Sequence, residues 1–87
     1  MVSQKTTIVN AQGFHMRPAV NFTKAMAKYK SEVKLVFKGA PVDAKSLMNI
    51  IAACIKCGSE VEVVCNGPDE NDALKEAVSM IESGLGD

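Results

Sequence analysis

The sequence predicts an α+β domain in which one antiparallel or mixed sheet is covered on a single face by helices, and two observations carry that prediction. Apolar residues alternate with polar ones at Val33, Leu35 and Phe37 and again at Val61, Val63 and Cys65, which is the period of half-buried strands. Elsewhere they return at helical spacing, as at Ala19, Phe22, Met26 and Tyr29, giving a helix one buried stripe. The resulting order is strand, helix, strand, strand, helix, strand, helix, with no internal repeat or low-complexity linker. At 87 residues this is a single domain with one core.

Each element has a local reason. Residues 5–10 are rich in Thr, Ile and Val and form the first strand, which Ala11-Gln12-Gly13 interrupts. Pro18 suits the first turn of a helix, where its missing N–H costs nothing, and this helix is expected over residues 16–29. Glu32 opens an alternating strand through Lys38. Lys38-Gly39 then turns the chain into a short segment, residues 40–43, where Pro41 cannot donate to a ladder and confines it to an edge strand or an irregular arm. Ser46 caps a short helix over the apolar run from Leu47, which Gly58 ends. Residues 60–65 give the last strand, stopped by Asn66-Gly67-Pro68. Asp69, Glu70 and Asp72 favour the positive end of the last helix, whose stripe is Ala73, Leu74, Ala77, Val78 and Ile81 and which Gly84 closes.

Charge and cysteine content narrow the function. Lys and Arg number 10 and Asp and Glu 10, so net charge does not select a nucleic-acid or anionic-membrane partner. No apolar run reaches the roughly 18 residues of a spanning helix and the first residues lack a signal-like segment, so a cytoplasmic location and no membrane insertion are expected. Three cysteines without export signals point to reduced thiols rather than a disulfide framework. The C-x-x-C of Cys54 and Cys57 closes a helix instead of opening one after a strand, and no second pair completes a tetrahedral zinc site. These thiols are read as buried or incidental, with a thiol or metal-binding domain as the alternative class.

The chemistry concentrates around the one histidine. His15 precedes a helix N-terminus, where unpaired N–H groups and the helix dipole attract an anion and disfavour imidazolium. A neutral imidazole is a nucleophile. Arg17 offers a planar fork of donors to phosphate oxygens, and Gly13 lets backbone approach the same anion. Together they suit a ring nitrogen that accepts a phosphoryl group and passes it on, which requires exposure on a loop rather than burial in a cleft.

Gly13-Phe14-His15-Met16-Arg17-Pro18-Ala19 closely resembles the active-site motif of HPr, the histidine-containing phosphocarrier family of the bacterial phosphoenolpyruvate:sugar phosphotransferase system, with Gram-positive-like features. Lys45-Ser46-Leu47-Met48 resembles that family's regulatory serine segment, and Gly67-Pro68-Asp69-Glu70 its lead-in to the last helix, so the likeness covers essentially the whole chain. The resemblance implies an open-faced β-sandwich, a four-stranded antiparallel sheet with three helices on one face. It implies no enzyme but a monomeric carrier without cofactor or metal, in which His15 takes phosphate on Nδ1 from phosphorylated enzyme I and gives it to sugar-specific enzyme IIA domains. Met16 and Pro18, with Gly13, would support the phosphate. Met16 stands where the family more often has a small residue or threonine, Gln12 where serine or asparagine is frequent, and Asn49 and Cys54 where Gram-positive relatives commonly carry glycine.

Ser46 is an ordinary helix cap on its own residues. The resemblance adds phosphorylation there by an HPr kinase/phosphorylase, carbon catabolite regulation and a catabolite control repressor as partner. Its helix carries more apolar residues than one stripe needs, and Leu47, Met48 and Ile51 are expected to face outward as a docking patch, with Lys24, Lys28 and Lys45 as a basic rim. The runner-up within the family is a regulatory paralogue acting mainly through Ser46. In known relatives of that kind the histidine is replaced, so the presence of His15 favours carriage.

Overall fold

The computed structural model describes residues 1–9 and 13–84. Its elements are β1 (Val2–Thr7), α1 (Met16–Ala27), β2 (Glu32–Phe37), β3 (Ala40–Asp43), α2 (Leu47–Ala53), β4 (Glu60–Asn66) and α3 (Glu70–Glu82). The strands form one antiparallel sheet in the order β1-β4-β2-β3, so β4, the last strand made, lies between the first two.

Register explains the burial. Val33 pairs with Cys65 and Leu35 with Val63, and Val61 lies opposite Thr6, so the inward residues of neighbouring strands stack on one face. The helices cover that face: Ala19, Phe22 and Met26 of α1, Ile50 of α2, and Ala73, Ala77 and Ile81 of α3 are fully buried. Leu74 of the expected α3 stripe is only partly buried at its margin. Pro41 sits on β3, an edge strand, as its missing donor requires.

Polar clasps join the layers. Asp69, ahead of α3, accepts hydrogen bonds from Lys30 N (3.0 Å), Ser31 N (2.9 Å) and Ser31 Oγ (2.5 Å), fixing the lead-in to β2. Those donors hold the Asp69 carboxyl down at about 2. Glu70 accepts from Gly67 N at 3.1 Å and pairs with the Met1 amino group at 3.0 Å, tying the start of β1 to the start of α3.

Helix α1 ends at Ala27, two residues short of the expected 16–29, and two other boundaries differ more from the sequence expectation. The first strand spans Val2–Thr7 rather than residues 5–10, because β4 starts at Glu60 and Thr7 is its last ladder partner. One further exchange, Ile8 N to Ser59 O at 2.9 Å and Gly58 N to Ile8 O at 2.8 Å, carries the pairing slightly past it. Asn10, and with it Ala11 and Gln12, lies outside the described residues. The second helix ends at Cys54, not at Gly58: Cys54 takes the left-handed conformation (φ 54, ψ 44) and its N–H returns to Ile51 O. A glycine suits such a C-cap better than any residue with a Cβ.

Candidate functional site at the start of α1

Backbone packing positions the histidine. Phe14 is 4% exposed, its ring meets Phe22 edge-on at 5.4 Å, and its N–H donates to Ile55 O at 2.9 Å. The aromatic pair is worth about 1 kcal/mol beyond its burial. Gly13 turns the chain at φ 66, and a Cβ built on it would lie 2.4 Å from Ile55 O and 2.7 Å from Lys56 Cα. The glycine is thus required by the close approach of the backbone of residues 55–57.

His15 is then half-buried at the N-cap of α1, in extended conformation (φ −81, ψ −174). Its carbonyl accepts the first helical bond, from Ala19 N at 3.0 Å, and its side chain makes no capping bond. The amides of Met16 and Arg17 therefore precede the helical ladder, and Pro18, buried in the first turn, has none to offer. Arg17 and Met16 are both exposed, Met16 at 59%. The arrangement brings together a ring, two backbone donors and a guanidinium-bearing residue at the positive end of a helix, a set suited to an anion held against an imidazole.

Ser46 occupies the N-cap of α2, where its Oγ accepts from Asn49 N at 3.3 Å and its carbonyl from Ile50 N at 3.1 Å. Such a cap contributes about 1 kcal/mol. Met48 is 76% exposed, whereas Leu47 and Ile51 are half-buried and pack partly on the core. Lys24 is exposed; Lys45 Nζ donates to Tyr29 O at 2.7 Å and Lys28 pairs with Glu76 at 2.7 Å, so those two lysines also hold the scaffold. Because Lys45 reaches the far end of α1 while Ile55 reaches Phe14, α2 runs antiparallel to α1. Its Ile51 end therefore lies toward His15, with Ser46 toward Tyr29.

Of the two halves of the reading of the thiols as buried or incidental, burial does not hold for the pair: Cys54 and Cys57 are both exposed, and Cys65 is buried. Their exposure follows from the early end of α2, which leaves residues 54–58 as a surface loop. Among the described residues no group of His, Cys, Asp and Glu is arranged to hold a metal, and no helix is long and apolar enough to cross a membrane. What sequence reasoning missed is the Ile55 carbonyl, the acceptor that fixes the histidine loop; a main-chain atom leaves no mark in residue type.

Fold and site define an open-faced sandwich that presents a single histidine at the start of its first helix. The family model PTS-HPr, described as the PTS HPr component phosphorylation site, matches residues 2–83, and the chain belongs to this family of phosphocarrier proteins. It is 33% identical to phosphocarrier protein HPr of Cupriavidus necator over 100% of this chain and 98% of that one. It is 40% identical to the HPr of Treponema pallidum, over 85% of this chain and 84% of the relative. HPr-like protein Crh of Bacillus subtilis is 32% identical over 94% and 96% of the two chains. A crystal structure of HPr-C-His from Thermoanaerobacter tengcongensis superposes with a TM-score of 0.95 at 33% identity, covering 100% of this chain and 98% of that one. That likeness agrees with the open-faced sandwich of four antiparallel strands and three helices found here.

Proposed function

We propose that this protein is a phosphoryl carrier of the sugar phosphotransferase system, working in the cytoplasm, with His15 as the acceptor. The observation that carries the reading is the histidine at the N-cap of α1, within a chain matched along residues 2–83 by a phosphorylation-site family. A ring nitrogen, Nδ1 in the family's pattern, attacks the phosphorus of phosphorylated enzyme I as the bond to the donor breaks. The amides of Met16 and Arg17 and the Arg17 guanidinium stabilise the charge on the phosphoryl oxygens. Attack by an acceptor group on an enzyme IIA domain reverses the step and regenerates the ring. The protein supplies placement and charge, and other proteins supply turnover.

Ser46 serves as a second, regulatory phosphorylation site for an HPr kinase/phosphorylase, with a catabolite control repressor as reader. Its distance from His15 decides how it acts. α1 has 12 residues, about 18 Å of helix at 1.5 Å each, and Ser46 lies toward its opposite end. A phosphate there alters docking over Leu47, Met48 and Ile51 through charge and desolvation instead of touching the histidine.

Incubation with phosphoenolpyruvate and enzyme I is expected to add one acid-labile phosphate that His15→Ala abolishes, while Arg17→Ala keeps the fold and slows transfer. Equal uptake by His15→Ala removes the assigned nucleophile. The 32% identity to Crh favours one second reading, a regulatory protein acting through Ser46. Phosphate uptake by kinase and ATP alone, with none from enzyme I, selects it.

A further inference from the structure

The C-x-x-C of Cys54 and Cys57 is left unused by the carrier reading. Cysteine is among the residues most often buried, as Cys65 is, yet both members of this pair are exposed. Cys54 also holds a left-handed backbone, φ 54, that glycine or asparagine adopts at lower cost. Helix termination alone does not call for a thiol there.

What lies between the thiols gives the pair its reach. Ile55 is 2% exposed and its carbonyl receives the Phe14 N–H at 2.9 Å. The Ile55 O, Lys56 Cα and Cys57 N atoms lie 2.4, 2.7 and 3.0 Å from the place of a Gly13 Cβ. The motif is therefore the floor under Gly13 and Phe14. Its sulfurs face separate carbonyls, Cys54 Sγ toward Ile51 O and Cys57 Sγ toward Val9 O, each at 3.8 Å.

We infer that Cys54 and Cys57 form a reversible disulfide that shifts this floor and slows phosphoryl acceptance at His15, an inference that rests on the carrier reading above. One thiolate attacks a low-molecular-weight disulfide of the glutathione class, forming a mixed disulfide and releasing one thiol. The second thiolate attacks the protein sulfur of that bond and expels the other thiol. Two protein thiols are oxidised, the external disulfide takes up the same two electrons, and the protons leave on the released thiols. Closure requires Cα atoms within about 4.4–6.8 Å and a near-perpendicular C–S–S–C torsion, so both sulfurs leave their carbonyls and the backbone carrying Ile55 O turns with them. The contact with Gly13 is backbone against backbone, with no flexible side chain to absorb the change. Displacing a reacting group by about 1 Å is enough to slow transfer up to ~10²-fold.

The test equilibrates the reduced protein with oxidised glutathione and follows intact mass, thiol alkylation, amide exchange and phosphate uptake. Expected are the loss of two hydrogens, protection of Cys54 and Cys57 from alkylation, faster exchange of the Phe14 amide and roughly tenfold slower uptake from enzyme I. Dithiothreitol should reverse all four. Cys54→Ser and Cys57→Ser should each retain a mixed disulfide and lose the exchange change. Stable mixed disulfides or linked dimers in the unsubstituted protein overturn the inference, as does a closed disulfide with unchanged Phe14 exchange. Faster exchange on oxidation with no phosphate uptake in either state supports the moving floor and defeats the carrier reading, so the two fail separately.

Discussion

Replacing Gly13 by alanine tests whether the floor under the histidine loop is as tight as its atoms indicate, and Gly39→Ala is the control. Both glycines have positive φ, 66 and 79, so both substitutions incur the left-handed penalty of roughly 1–2 kcal/mol. Only Gly13 is crowded: its Cβ would lie 2.4 Å from Ile55 O, whereas nothing lies within 4 Å of the Cβ at Gly39. Backbone must move to admit it, an overpacking cost of about 1–3 kcal/mol. Gly13→Ala should therefore lose about 2–5 kcal/mol, a large share of the total for a domain of 87 residues. Gly39→Ala should lose only the first part. At about 4–8 °C per kcal/mol, melting should fall by at least ~8 °C for Gly13→Ala. Urea unfolding followed by far-ultraviolet circular dichroism gives the comparison, provided the slope is unchanged. Losses that agree within about 0.5 kcal/mol would refute the crowding argument.

Two ionisable groups give further expectations. Tyr29, the chain's one tyrosine, donates to Glu76 Oε1 at 2.5 Å, and that bond, helped by desolvation and the carboxylate's charge, pushes its hydroxyl up to about 12. The tyrosinate absorbance should rise near pH 12 rather than 10, and Glu76→Gln should return the midpoint toward 10. Since the raised value belongs to the folded state, the bond's contribution is complete below pH 10 and disappears as pH rises through about 12. Asp69 has the opposite sign: its carboxyl is held down to about 2, first by the Ser31 hydroxyl and then by the Lys30 amide, so its contribution is full above pH 3.8 and lost as pH falls through about 2. Acid titration of stability should be shallower in Asp69→Asn over that interval, and parallel curves would remove the clasp from the acid transition.

The element order and the amphipathic faces were legible because each is written in local periodicity, and Pro41 excluded a central place for residues 40–43 while leaving an edge strand or an irregular arm open. The boundaries that slipped belong to partners elsewhere in the chain. β1 ends where β4 begins, and Val2 joins it by pairing with Cys65, so its own Thr and Val residues do not set its limits. α2 ends early at Cys54, and Ile55 then buries its side chain while lending its carbonyl to Phe14. That demand is tertiary, and it also brings the two thiols to the surface. At the site, residue types pointed to His15, Arg17 and Ser46, all of which lie at or near helix starts. The reason for Gly13 was legible only as a need for close approach; which atoms approach it depended on the fold.

The strand order has a further consequence for synthesis of the chain. β1, although translated first, has its ladder partner at residues 60–66, and β2 meets the same strand on its other side. A nascent chain released only as far as α2 can close the β2–β3 hairpin, but it has no central strand on which to seat its N-terminal segment. Long-range closures of this kind slow folding and bind it to completion. The sheet should consequently condense in one step after β4 clears the ribosome exit tunnel, leaving truncated fragments unfolded and open to proteolysis.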